Sequence, residues 1–566
     1  MAQNLFFDIG TIVIISTLLA CVAKFLKQPL IPAYVIAGII LGPYLGIITS
    51  IDVINNLSEI GIAFLLFIVG LEIDIRKLKD VGLISSFGGV MQIAVMFVFA
   101  FIISILIGFF AAEAVYLGLI IAFSSTMVVV KLLSDKREVD TLHGRIIIGI
   151  LLLQDIAAIL ALSILSQGSF SAYSLLLSLS KGAVIILLSL FAGKYLLPHL
   201  FKFAASSQEL LFIASAALAF SFSIIINSIG FSIAVGAFIA GITLHVPYNA
   251  EIIGKVKPLR DFFSVLFFVS LGMQLSLKSF GTIITPLLVF MAMLVLLKPL
   301  VVMLICSFFG YSKRTSFLTS LSLAQISEFS LILAAQGLVL GHLSQDIFSM
   351  TILLAVASTV LTTYFINYSG AIYQKISPFL SLFEKLTSNY KYLEYIPGRM
   401  KNFVVICGYN RIGYSIMRSL RKMKKAHIVV DFNPEIIKKL ISEKVPCLYG
   451  DVGDIELLER LNLKDSSMVI STVPNKNDNL LLIHEAKKSN KKVIVFATGS
   501  QIEEALELYD AGADYVILPH FLGGEHASLI LESFGSNLKK LLENKIRHIE
   551  ELSKRHSIGH EHPMHG

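Results

Sequence analysis

Up to about residue 370 the chain is a succession of apolar runs, near residues 6–24, 30–48, 56–72, 83–108, 113–131, 144–166, 174–196, 209–227, 231–246, 261–277, 282–308, 315–340 and 346–368. Runs of about 20 residues match the hydrocarbon thickness of a bilayer, and backbone polar groups in lipid must be satisfied within the segment, so thirteen transmembrane helices are expected. Charged residues make up only 15% of the 566, against about 25% in soluble proteins, and they concentrate beyond about residue 385. That shift separates a membrane domain, 1–370, from a linker, 371–400, with Pro378 and Pro397, a soluble domain, 401–540, and a flexible tail, 541–566. Cys21, Cys306, Cys407 and Cys447 form no CxxC pair, which excludes a disulfide framework or a zinc site as the organising device. No basic segment precedes the first run, so it reads as a retained span and not as a cleaved signal.

The basic residues then set the topology. Lys24 and Lys27, Arg76 with Lys77 and Lys79, Lys136 with Arg137, Lys202, Lys255 with Lys257 and Arg260, and Lys313 with Arg314 all fall in odd-numbered loops, whereas the even loops carry almost only Lys278. By the positive-inside rule the N-terminus lies outside and the soluble domain is cytosolic, in a multi-pass protein of the inner (plasma) membrane. The net charge of +7 is topological in this reading and implies no nucleic-acid partner. The spans also repeat. IAGI occurs at residues 36–39 and 239–242, an offset of 203; nearly the same offset relates LLFIVGLE, with Gly70, to LFFVSLGMQ, with Gly272. Two six-span halves separated by one span enter the membrane in opposite senses, the inverted-repeat plan of many secondary transporters.

Ionisable residues inside such spans are costly and point to function. Asp155, beside Gln154 in LLLQDIAAI, is the sharpest case. Burial favours its protonated form and a bound cation favours its ionised form, so a proton competes with K+ or Na+ for one carboxylate, which is itself an exchange mechanism. Pairing with another helix is the structural alternative. Lys298, in LVLLKPLVV, is the expected partner from the other half, or else an interhelical tie. Ser125 and Thr126, behind Ser124, and Ser327 and Glu328 in LAQISEF fall at matching points of the two halves, where interrupted helices place backbone carbonyls and amides at the midplane.

Beyond residue 401 short β-rich runs alternate with amphipathic helices, which predicts a parallel α/β sheet of Rossmann type. VVICGYNRIGYSI has strand, turn and helix in the order a dinucleotide site needs: Gly408 and Gly413 take the first and third glycine positions, Asn410 the second, and Arg411 and Ile412 complete the turn. Asp431, ending the next strand, is placed to accept ribose hydroxyls, and Gly450 and Asp451 line the same crevice. The ligand expected is an adenine nucleotide, AMP, ATP or NAD(H), acting as a regulator; no catalytic acid or base accompanies it, so the chain does not read as an enzyme.

Together, LSEIGIAFLLFIVGLEID, LLLQDIAAI, GAFIAGITL, FFVSLGMQL, LAQISEFSLIL and ICGYNRIG with YGD resemble the second family of monovalent cation:proton antiporters, in particular the potassium-efflux (Kef-type) members with a C-terminal RCK, or TrkA-N, domain. The resemblance covers about residues 6–530. It implies a sodium/proton-antiporter-like fold with crossed broken helices, homodimerisation through the membrane domain, an ion site at Asp155, and K+/H+ exchange, since the Gln154–Asp155 pair matches the potassium-type pattern. Na+/H+ exchange is the alternative. A potassium channel gated by its RCK domain would be expected to show a filter signature such as TVGYG, which the sequence lacks. VIVFATGSQ lacks the arginine looked for in a glutathione-gated pocket, which speaks against glutathione control.

Overall fold

The structure is a computed structural model that describes residues 5–48, 51–72, 84–136, 138–139, 141–165, 185, 188–189, 191–229, 231–244, 249–276, 280–386, 394–398, 400–409 and 411–534. Asn410, most of the run at 174–196, the whole basic loop at 76–79 and the tail at 541–566 lie outside the described residues. The chain forms two compact units: Met1–Phe309 with Ser316–Pro378, and Gly310–Thr315 with Phe379–Gly566.

The first unit is helical: α1 Leu5–Phe25, α2 Leu30–Ile39, α3 Ile51–Glu72, α4 Gly89–Ile107, α5 Ala111–Ala122, α6 Thr126–Asp135, α7 Leu142–Leu165, α8 Leu197–Ala204, α9 Gln208–Ser228, α10 Ile233–Thr243, α11 Asn249–Met273, α12 Phe280–Ala292, α13 Lys298–Phe308, α14 Lys313–Ser322 from Ser316 on, α15 Glu328–Val339, α16 Gln345–Asn367 and α17 Ser369–Leu386 as far as Pro378. Among the described residues seven helical segments are long and apolar enough to cross a membrane, and four shorter apolar helices accompany them. Hydropathy runs and helices differ most where a run is interrupted. The run at 113–131 is α5 and α6 separated by 123–125, and the run at 315–340 is α14 and α15 separated by 323–327.

The repeat is visible in the packing. Gly38 of α2 lies against Gly272 of α11: a Cβ on either would sit 2.9 Å from the other's Cα. Gly241 of α10 meets Gly70 of α3 in the same way, at 2.9 and 3.0 Å. These are the glycines that the offset relates, so each half supplies one partner to each pair, and backbones approach where lipid-embedded helices need small residues to do so. A wider π-helical turn precedes α4 at Ile84–Gly88 and α13 at Met293–Leu297, the fourth span of each half.

In the second unit β1 Glu394–Tyr395, β2 Phe403–Cys407, α18 Arg411–Lys422, β3 His427–Asp431, α19 Pro434–Ser442, β4 Cys447–Tyr449, α20 Ile455–Arg460, β5 Ser466–Ser471, α21 Lys476–Ser489, β6 Ile494–Thr498, α22 Ile502–Asp510, β7 Tyr515–Ile517 and α23 Pro519–Phe534 build a seven-stranded sheet ordered β1-β4-β3-β2-β5-β6-β7. All neighbours are parallel except the β1–β4 edge. Alternate residues of β2 serve opposite faces: Val405 and Cys407 pack with Leu482 and Leu508, whereas Val404 and Ile406 pack with Met417 and Leu440. Buried on both faces, these strands are continuously apolar. The order reverses between β2 and β5, and a crevice at such a switch point is where doubly wound sheets take ligands.

The glycine contacts make a testable demand. Gly272→Leu forces α2 and α11 apart, and overpacking of this kind costs about 1–3 kcal/mol. The thermal midpoint of the purified protein is expected to fall, while Gly254→Ala in the same helix, where a Cβ meets nothing within 4 Å, leaves it in place. Equal midpoints for the two variants would refute the close-packing role.

Candidate functional site

In the first unit the site forms where the two interrupted helices meet. An interruption in the middle of an apolar bundle leaves helix-end carbonyls and amides without intrahelical partners, and in lipid each must find another. The side chains answer this need in detail. Ser125 and Ser327 cap the second halves, their Oγ atoms accepting from Val128 N–H at 3.4 Å and Phe329 N–H at 3.1 Å. Ser124 Oγ donates to the Leu323 carbonyl at 3.0 Å, and Ser330 Oγ donates to that of Ile120 at 2.8 Å, stitching one interruption to the other.

Three consecutive carbonyls at the end of α5 are met from two other helices. Lys298, fully buried, donates to the Ile121 and Phe123 carbonyls at 3.0 and 2.8 Å and to Gln325 O at 2.8 Å. An ammonium has three N–H donors, so all of them are committed to backbone. Its charge sits at the negative end of the α5 dipole and on the carbonyls of both interruptions. Gln92 of α4, which sequence reasoning did not single out, donates to the carbonyl between these two, Ala122 O, at 3.0 Å. Gln92 Oε1 in turn accepts from Gln154 Nε2, and Gln154 Oε1 accepts from Ser124 N–H at 2.8 Å. Gln154 therefore holds the shape of the interruption with both ends of its amide. The one signal of Gln92 in the sequence was a polar residue alone in the apolar run VMQIAV.

Asp155, only 3% exposed on α7, faces the opposite side of the break. Thr126, the first residue of α6, donates its hydroxyl to the carboxylate, at 3.0 Å to Oδ1 and 2.9 Å to Oδ2. The carboxylate thus lies at the positive end of a half-helix, while the carbonyl end of the preceding half is held by Lys298. The structure brings Ser125, Thr126, Gln154, Asp155, Lys298, Ser327 and Glu328 into one neighbourhood, in two functional layers: Gln154 and Lys298 support the break, and Thr126 and Asp155 present oxygen to it. Glu328 Oε1 accepts from Met127 N–H at 3.4 Å.

In the second unit Gly408 follows β2 with φ +88, and a Cβ on Gly413 would collide with the Gly408 carbonyl, so the turn into α18 is open only to glycine at both places. Arg411 and Ile412 begin α18. Asp431, at the end of β3, is buried; Oδ2 accepts from Tyr409 N–H at 2.7 Å and Oδ1 from Asn433 N–H at 2.8 Å. Thr472 Oγ1 holds the turn from the β5 side, 3.1 Å from both Cys407 O and Gly408 O. Gly450 N–H bonds Asp431 O at 3.0 Å, so the end of β4 borders the same turn. Asp451 Oδ1 accepts from Gly453 N–H at 3.0 Å and pairs with Arg314 at 2.9 Å, a residue of the hexapeptide counted with this unit. Burial, and secondarily the Asp431 charge, push the Cys407 thiol up to about 12, so it stays protonated at neutral pH.

Residues 12–367 match the family model described as sodium/hydrogen exchanger, transmembrane, and residues 404–519 match the TrkA-N domain. Among curated relatives, the putative cation/proton antiporter YbaL of Escherichia coli is 27% identical over 528 residues, covering 89% of this chain and 93% of the relative. K(+) efflux antiporter 6 of Arabidopsis thaliana is 32% identical over 349 residues, covering 59% of this chain and 58% of the relative. The sodium proton antiporter MjNhaP1 of Methanocaldococcus jannaschii superposes with a TM-score of 0.50 at 18% identity, covering 66% of this chain and 97% of that one, a likeness of fold. With the exchanger model spanning well over half of its length, the chain belongs to the sodium/hydrogen exchanger family and carries a TrkA-N domain.

Proposed function

We propose that the chain exchanges a monovalent cation, K+ in the first instance, for a proton across the inner membrane, and that an adenine nucleotide on the TrkA-N domain regulates it. The observation that carries the transport reading is Asp155, a carboxylate buried inside the apolar bundle, gripped by Thr126 and facing an interrupted helix. Such a group binds either a proton or a partly dehydrated cation, with hydroxyl and carbonyl oxygens replacing lost water. Carried alternately to each side of the membrane, it swaps one for the other. K+ is favoured by the Gln154–Asp155 pattern and by the plant relative, which is named for K+ efflux. Na+ is the second reading, favoured by the family model itself. The charge pattern of the loops supports an external N-terminus and a cytosolic TrkA-N domain, and the family resemblance supports a homodimer.

The nucleotide reading rests on the glycine turn, the helix end at Arg411 and Asp431. Helix-end amides and dipole favour a phosphate, and Asp431 accepts ribose hydroxyls on the same side of the sheet. No hydride-transfer or acid–base machinery is needed for a ligand that only shifts a conformational equilibrium.

Three outcomes are expected. Asp155→Asn abolishes K+-driven dequenching of a pH dye in proteoliposomes while leaving the thermal midpoint and the gel-filtration profile intact; normal exchange by the purified variant would refute the single-carboxylate mechanism. Because the Lys298 donors are committed to carbonyls, the lysine delivers no second proton, and exchange is electroneutral. A potential of 100 mV, worth about 2.3 kcal/mol per charge, therefore leaves the rate of dequenching unchanged, and potential-driven transport would contradict this role for Lys298. Thirdly, calorimetry of the full-length protein with AMP, ATP, NAD and NADH detects binding of at least one. Asp431→Ala weakens it roughly 10- to 150-fold, the equivalent of about 1.5–3 kcal/mol for a hydrogen bond to a charged group; no binding by the wild type, or equal binding by the variant, removes the sensor reading.

A further inference from the structure

A second carboxylate in the first unit is left with an unmet need. Glu328 opens α15 behind its cap Ser327 and is 5% exposed. Its Oε1 accepts from Met127 N–H, but its Oε2 is buried with no hydrogen-bond partner. A buried carboxylate oxygen without a partner is costly, and at the break the Gln325 amide oxygen shares that lack. Beside it is a small cleft, lined by Glu328, Ser125, Ser327 and Thr359 and by apolar side chains of α2, α6 and α16, among them Val35, Val128 and Val356. Its free volume is about 10 Å³, the size at which an interior space admits one water-sized guest. Asp155 and Thr126 do not line it.

The three residues 125–127 alternate between the two carboxylates. Ser125 lines the Glu328 cavity, Thr126 holds Asp155, and Met127 N–H bonds Glu328. Charge points the same way. With the Lys298 ammonium fixed on carbonyls and both carboxylates ionised, the centre carries one net negative charge, which a single monovalent cation or proton at either carboxylate neutralises.

We propose that Glu328, with the hydroxyls of Ser125, Ser327 and Thr359, forms a second station for a monovalent cation beside the Asp155 site. Carboxylate and hydroxyl oxygens around a water-sized space suit an alkali cation stripped of most of its water, and a proton on Oε2 satisfies the same atom when the cation leaves. Among the described residues Glu328 is the only titratable one lining the cavity, and α2, α6 and α16 present none to it. The station deepens the antiporter reading and rests on it.

The test is calorimetric binding of K+ to purified full-length protein, with choline chloride balancing ionic strength, across a pH series. Asp155→Asn is expected to retain a weaker binding event that protons suppress, and the double variant Asp155→Asn with Glu328→Gln is expected to lose it. Glu328→Gln keeps an acceptor for Met127 N–H, so a purely structural Glu328 predicts no change. In the otherwise native protein Glu328→Gln is expected to shift the pH at which transport is half-maximal. Absence of K+ binding in Asp155→Asn, or residual binding unaltered by Glu328→Gln, overturns the second station and leaves the Asp155 mechanism standing. Normal transport by Asp155→Asn defeats that mechanism instead, and absence of K+ binding to the wild type defeats both.

Discussion

Everything in the membrane unit follows from the cost of exposing backbone carbonyls in an apolar interior. Two helices are interrupted, and the amides and carbonyls so freed cannot be left to lipid. Lys298 meets three of them and Gln92 a fourth, and because Ile121, Ala122 and Phe123 are successive residues, α4 and α13 must both converge on the same turn. Gln154 then joins this scaffold through Gln92 and Ser124, which orients its neighbour Asp155. The site is thus positioned by backbone satisfaction first and by ion chemistry second. An ammonium that would be expensive in lipid becomes tolerable here because the negative oxygen ends of three carbonyl dipoles face it.

The inverted repeat supplies the frame for this centre. Gly38 with Gly272 and Gly70 with Gly241 lock α2 to α11 and α3 to α10, each pair built from one helix of either half. Helices joined backbone to backbone have little side chain to rearrange between them. Motion that carries a site from one side of the membrane to the other is then accommodated more readily between bundles than within this one.

Much of this was legible in the sequence, and the remainder was illegible for identifiable reasons. The offset of about 203 related Gly38 to Gly241 and Gly70 to Gly272 because close packing in lipid admits only small residues, but it did not show that the packed pairs cross between the two halves. Asp155 and Glu328 stood out because charge is rare in apolar runs. The Rossmann turn was readable from Gly408, Gly413 and Asp431, whose backbone roles no other residue types fill as well. By contrast, Lys298 read as a partner for Asp155, because a sequence shows the two charges but not the backbone carbonyls that take the donors. Gln92 passed unremarked, since a lone amide in an apolar run has no spacing to betray it. Hydropathy windows also run straight through residues 123–125 and 323–327, where the backbone leaves the helix without leaving the lipid.

The glycine turn of the TrkA-N domain has a further consequence. Asp431 holds it through Tyr409 N–H, and Thr472 holds it through two carbonyls, before any ligand arrives. A loop restrained on both sides is preorganised, so a phosphate entering it spends little of its binding free energy on ordering the backbone. It follows that the start of the turn, at Gly408 and Tyr409, has little shape left to change. A signal from an occupied crevice has to originate at the far end of the ligand, where β3, β4 and β5 end in side chains rather than in a clamped turn.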